Sequence, residues 1–365
     1  MTRSATDWVA SLSPWPADGF GLERMRALLA ELGDPQLAYP AVHVVGTNGK
    51  STTTRLTEAL LSDAGLSVGA YISPHVRGWS ERIRVGNAEV DFERALAGVR
   101  PRAMALQATQ FEAVTAAALL AFADAGVDVA VVEAGLGGRH DATNVLRSRV
   151  VVLTNVALDH MDVLGDTREA IAAEKLAVVQ PGVTVVLAEP EWQALAEENG
   201  AAKVVLTAPS NLALALAAAE AFLGASVGAG SAADVTLPGR LERRSERPLE
   251  IWDGAHNLAG VAYLLPRVPE REYVLVSSIL EDKRPELMLE ALSVLGTALV
   301  ATQSSNSRSL PAGELAAHAE RYFDHVETIV DPAVARRRAL ALAGPDGAVL
   351  VSGSLYLLSD LSGSD

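Results

Sequence analysis

The chain has 365 residues, about two domains' worth, and 49% of them are hydrophobic, enough to bury sizeable cores. Thirty Lys and Arg against 45 Asp and Glu leave a net charge of −15, which argues against a general nucleic-acid or membrane-surface binder. There are no cysteines, which excludes disulfides, thiolate catalysis and cysteine metal sites, and suits a cytoplasmic protein.

Residues 1–14 lack a basic stretch followed by an apolar core, so no signal peptide is expected, and no apolar run approaches the roughly 20 residues that span a bilayer. Along the chain, apolar β-branched runs at 41–45, 68–71, 129–133, 150–153, 183–188 and 204–206 read as strands. Helical spacing covers 51–64, 111–125, 167–179 and 210–223. Nearly continuous apolar strands are expected where helices cover both faces of a parallel sheet, so the fold class is α/β. After a small, glycine-rich stretch at 224–233 a second alternation begins. Its strands are expected at 249–252, 273–276, 298–301, 326–329 and 348–351, and its helices at 259–265, 285–295, 311–321 and 332–343. The chain therefore reads as two α/β domains, residues 1–240 and 241–365.

The first strand runs into Gly46-Thr47-Asn48-Gly49-Lys50-Ser51-Thr52 and then a helical pattern. Strand, glycine loop, lysine, hydroxyl and helix follow in the order a phosphate-binding loop needs. The glycines let N–H groups turn toward anionic oxygens, and the helix N-terminus adds partial positive charge. Lys50 can reach a terminal phosphate, and Ser51 or Thr52 can sit on Mg²⁺; the general pattern also wants a glycine where Val44 stands. Glu133 closes an apolar strand before a glycine-rich turn, the place for a Mg²⁺ ligand facing a neighbouring phosphate loop. His160, after Asp159, suits a metal ligand or a general base. Lys175, read alone, is a solvated helical lysine. Asp253, before Gly254-Ala255-His256-Asn257, suits a ribose or an ion, and Arg240 at the junction suits a phosphate. Arg336-Arg337-Arg338 reads as a solvated helix face.

Taken in order, these pieces resemble the Mur ligase superfamily, and most closely the dihydrofolate synthase/folylpolyglutamate synthase family. The resemblance rests on Gly46-Thr47-Asn48-Gly49-Lys50, Ser73-Pro74-His75, Glu81-Arg82-Ile83-Arg84, Glu133-Ala134-Gly135-Leu136-Gly137-Gly138-Arg139 and Asp141-Ala142-Thr143-Asn144. It continues through Leu158-Asp159-His160, Glu174-Lys175, Leu237-Pro238-Gly239-Arg240, Asp253-Gly254-Ala255-His256-Asn257 and Gly353-Ser354-Leu355. It implies a phosphate-loop ATPase domain followed by a Rossmann-like ligase domain. It further implies ATP held by the 46–52 loop, Asn211, Arg240, Asp253 and His256, and Mg²⁺ held by Ser73, Glu133 and His160. Lys175 matches the family's carbamate-bearing lysine, which would hold a second Mg²⁺. Thr109, Phe111 and Asp141 match positions near a pterin, and Ser354 a position near glutamate. Catalysis would fall to Lys50, His160 and Lys175. The implied reaction is amide formation between L-glutamate and dihydropteroate or folates through an acyl phosphate. The two domains would close over it around a hinge near Arg240, in a cytoplasmic monomer.

The chain departs from the family pattern at Ser51-Thr52, Ile72, Leu258, the shortened stretch between Pro181 and Asn211, and the loop 277–283, which loses its glycine. The same chemistry on a non-folate carboxylate is the alternative reading. A nucleotide-binding regulator or a simple phosphate-loop hydrolase would not require Ser73, Glu133, His160 and Lys175 together.

Overall fold

Burial along the apolar runs decides the sheet type. The structure, a computed structural model, describes residues 4–16 and 19–363. Residues 1–3, part of the stretch 1–14 read above for a signal peptide, lie outside them. The described residues form two compact units: one up to Pro74 plus Trp79–Val235, the other His75–Gly78 plus Thr236 onward.

The first unit is built on eight strands: β1 Ala41–Val45, β2 Val68–Tyr71, β3 Ile83–Val85, β4 Ala88–Glu89, β5 Val129–Glu133, β6 Ser148–Leu153, β7 Thr184–Leu187 and β8 Lys203–Leu206. Their order is β4-β3-β2-β5-β1-β6-β7-β8. The six from β2 to β8 are parallel, and β3 and β4 add an antiparallel edge. β1 and β5 are buried at every residue, because helices lie on both faces. Val42 and Val44 pack with Leu56 and Leu60 of the helix Lys50–Asp63, whereas Ala41 packs on the side of the helix Gln110–Ala125. From β1 the chain leaves to one side for β2 and later returns on the other side at β6. The loop after β1 thus opens at a switch point, where ligands of open α/β sheets bind.

The second unit has β9 Glu242–Glu246, β10 Leu249–Trp252, β11 Tyr273–Ser277, β12 Ala298–Ala301, β13 His325–Thr328 and β14 Ala348–Ser352. The order is β13-β12-β11-β14-β10-β9, parallel except for β9. Every strand expected from the sequence is present. The short β3, β4 and β9 were not expected, and neither were the helices Ala5–Ala10, Glu23–Glu31, Phe92–Ala105, Gln193–Glu198 and Leu355–Ser362. The triple-arginine face is not simply solvated: Nε and Nη2 of Arg336 donate to the buried Glu250 at 2.6 and 2.9 Å, and Arg338 pairs with Glu327. No helix among the described residues is long and apolar enough to cross a membrane.

Candidate active site

The loop after β1 is held by the loop after β6. The N–H groups of Thr47 and Asn48 donate to Asn155, to its backbone oxygen at 2.9 Å and its Oδ1 at 3.1 Å. Asn155 Nδ2 donates back to Asn48 O at 3.0 Å, and the Ala157 N–H donates to Thr47 Oγ1 at 3.1 Å. Gly49 has φ +82° and caps the helix Lys50–Asp63 with no side-chain hydrogen bond. A Cβ there would stand 2.4 Å from Asn211 Oδ1, so only glycine fits between the loop and the helix Asn211–Leu223. The first N–H groups of a helix have no partner within it, so those of Lys50, Ser51 and Thr52 point outward as an anion seat.

Two ammonium groups meet at this seat. Lys50 Nζ donates to Gly46 O and Thr47 O, both at 3.1 Å, and Lys175 Nζ donates to the same Gly46 O at 2.8 Å. Lys175 is 4% exposed, not the solvated lysine that its position alone suggests. Burial lowers its pKa to about 7; Lys50 pushes in the same direction, against Asp159 and Asp141.

Glu133, at the end of β5, faces the seat from the neighbouring strand. Its Oε1 accepts from Ser51 Oγ at 3.1 Å and its Oε2 from the Ser73 N–H at 3.0 Å. Carboxylate, hydroxyl and the amide next to Ser73 are thereby brought together. His160 sits after β6 with φ +51°, its N–H bonded to Asp159 Oδ1 at 3.0 Å. Among the described residues no three His, Asp or Glu cluster as a self-sufficient metal cage. A hard oxygen set of this kind suits an ion that takes one or two carboxylates and completes its shell with phosphate oxygens and water.

Thr109 and Phe111 come from the start of the helix Gln110–Ala125, and Asp141 from the loop that follows Glu133's strand. Thr109 caps the helix Gln110–Ala125 in a reciprocal box with Glu112. The Phe111 ring is 6.1 Å from the Tyr71 ring and abuts Gly135, where a Cβ would stand 2.5 Å from its Cζ. Asp141 is buried; its carboxylate accepts from the Leu136 N–H and from the Thr143 N–H and hydroxyl. Burial nevertheless raises its pKa above the ordinary carboxylate value.

The remaining expected residues gather in the second unit, at the carboxyl ends of β10 and β14. Asp253 accepts from Leu241 N–H at 2.8 Å and Ala255 N–H at 2.9 Å, and burial raises its pKa against the opposing pull of Arg240. His256 Nδ1 donates to Gly254 O at 2.8 Å, and Ser354 caps the helix Leu355–Ser362. Asn155, which clamps the phosphate loop, escaped the sequence reading. Its signal was its place directly after a strand that neighbours β1.

A parallel-sheet unit carrying this phosphate loop, followed by a second α/β unit, defines the Mur type of ligase. The Mur ligase middle-domain model matches residues 44–222, and the model of the Mur ligase glutamate ligase domain matches 239–355. The dihydrofolate synthase/folylpolyglutamate synthase of Bacillus subtilis is 31% identical, covering 93% of this chain and 94% of its own. The solved E. coli FolC with DHPP and ADP superposes with a TM-score of 0.89 at 30% identity, covering 100% and 98% of the two chains. The Yersinia pestis bifunctional enzyme with AMPPNP and Mn gives 0.88 at 30%, covering 100% and 99%. The chain belongs to the dihydrofolate synthase/folylpolyglutamate synthase family.

Proposed function

We propose that this protein joins L-glutamate to the carboxylate of dihydropteroate, and to folates, at the expense of ATP. The observation that carries the proposal is the convergence of Lys50 and Lys175 on Gly46 O beside the Ser51–Glu133–Ser73 cluster. Carboxylate and triphosphate repel each other, so the transfer needs cations aimed at both. An acceptor carboxylate oxygen attacks the γ-phosphorus of ATP, ADP leaves, and an acyl phosphate forms. The glutamate nitrogen then attacks the acyl carbon, phosphate leaves, and the amine loses its proton. Lys50 is placed to turn from its own carbonyls onto the γ-phosphate. The N–H groups opening the helix Lys50–Asp63 would hold the β-phosphate.

A divalent ion bound by Glu133, Ser73 and His160 would supply charge neutralisation of the phosphates. Lys175, neutral in part near pH 7, has the nucleophilic amine that carbamate formation with CO₂ requires, and the carbamate oxygens would serve a second ion. Asn211, Arg240, Asp253 and His256 are assigned to the nucleotide, Thr109, Phe111 and Asp141 to the pterin side, and Ser354 to glutamate. The assignment of 1–240 to ATP and 241–365 to glutamate ligation, in a cytoplasmic monomer, belongs to the same proposal and rests on the family resemblance.

The test is phosphate release from ATP with Mg²⁺ and L-glutamate, with and without dihydropteroate or a reduced folate, and with products weighed by mass spectrometry. One added glutamate on dihydropteroate is the expected result. No mass gain on either acceptor would leave the same chemistry on a non-folate carboxylate as the reading to pursue.

A further inference from the structure

Beneath the proposed acceptor side runs a buried polar chain. His43 sits in the middle of β1, 1% exposed, with Nε2 2.8 Å from Thr143 Oγ1. Thr143 is wholly buried, and its hydroxyl is bonded to Asp141 Oδ1. A hydroxyl has one proton; given to the carboxylate, it leaves Thr143 Oγ1 to accept from His43 Nε2–H, which fixes the tautomer. Burial pushes the His43 pKa down to about 3, so the ring is neutral and this assignment holds throughout the working pH range.

Asp141 gathers what lies above. A carboxylate has about four lone-pair sites, and three donors fill sites here: Thr143 N–H at 3.0 Å, Thr143 Oγ1 and Leu136 N–H at 2.7 Å. The carboxylate thus fastens Leu136, the residue after Gly135, against which the Phe111 ring lies. A chain of hydrogen bonds leads from the centre of the sheet to the residues behind the flat face on the acceptor side.

We propose that His43 and Thr143 are positioning residues for acceptor recognition: they hold Asp141, which sets the Gly135–Leu136 backing of the Phe111 platform for a planar heteroaromatic ring. The proposal rests on the acceptor reading above. Neither side chain is assigned a contact with ATP or with the reacting carboxylate. Loss of the chain therefore loosens the ring site and leaves the phosphate seat as it is.

The experiment compares Thr143→Val, Thr143→Ser, His43→Leu and the Thr143→Val/His43→Leu double variant, all as full-length protein. Thr143→Val is expected to raise KM for dihydropteroate about tenfold, equivalent to about 1.4 kcal/mol, with KM for ATP within about twofold of the parent. Thr143→Ser, which keeps the hydroxyl, should restore the parent value. The double variant should be no worse than the worse single one, because both cut the same chain. Amide exchange at 135–138 in the ligand-free protein should accelerate in Thr143→Val and not in Thr143→Ser. A parent that glutamylates dihydropteroate while Thr143→Val keeps its acceptor KM and its exchange rates overturns this inference alone. So does a parallel rise in KM for ATP. A parent that leaves dihydropteroate untouched overturns the acceptor reading itself, and exchange at 135–138 then reports whether the brace exists without it.

Discussion

Lys175 carries a charge that its surroundings oppose. The amine is buried, faces Lys50, and has its pKa lowered from 10.5 to about 7. Below about pH 7 folded and unfolded chains both hold the proton, and the fold bears the full cost of the buried ammonium. Between about 7 and 10.5 the unfolded chain binds more protons, so stability rises with pH; above 10.5 the cost is gone. Lys175→Met is expected to flatten that rise in ligand-free protein kept free of bicarbonate, read as denaturant midpoints at roughly pH 6, 8 and 10. Equal slopes for parent and variant would contradict the burial argument. Lys175 also marks where residue-level reading fails. Its neighbours in sequence do not reveal that its side chain ends on Gly46, 129 positions away. The place of Glu133 beside the phosphate loop was legible, because a carboxylate after a run of valines and before glycines ends a buried strand at the ligand edge of the sheet.

At the scale of elements, the phosphate seat is one loop clasped by another. The Asn155 side chain makes one hydrogen bond to the Asn48 N–H and one to its carbonyl. Asn155→Ala removes both and leaves the backbone bond from Thr47, so the loop keeps its place and loses its orientation. The expected outcome is a KM for ATP raised about tenfold with the acceptor KM little changed, on the scale of two ordinary hydrogen bonds. An unchanged ATP KM would show the clasp to be dispensable. Elements that bury both faces were legible from apolar runs alone; of the four edge strands, β8 and β13 were read and β4 and β9 were not. β9 reads Glu242-Arg243-Arg244-Ser245-Glu246, charged and largely exposed, and pairs only on one side with β10. Its strand character comes from that partner, not from its residues. The helix Phe92–Ala105 contains Pro101, which interrupts the helical signal, and packing of Phe92, Leu96 and Val99 into the core overrides it.

At the scale of the molecule, the chain passes between its two units three times, at 74/75, 78/79 and 235/236. The short passage His75–Gly78 counts with the second unit, where Val76 is 3% exposed among Trp252, Leu355 and Leu358. Val76→Ala is expected to cost the second unit about 2 kcal/mol through the hole it leaves. Amide protection in β10 and β14 should then fall by roughly thirtyfold while that of β1 and β5 stays as it was. A uniform fall across both sheets would contradict a core confined to the second unit. The sequence reading made one cut near 240 and had no signal for this passage, since four residues show no periodicity.

That passage bears on how the chain is made. Val76 leaves the ribosome long before its neighbours: Leu355 follows 279 residues later (355 − 76). At about 5–20 residues per second, Val76 waits roughly 14–56 s for the cluster it will join. The two units therefore cannot be finished strictly one after the other during synthesis. The first sheet can close while Val76, the apolar side chain of 75–78, stays without its cover until the helix Leu355–Ser362 arrives.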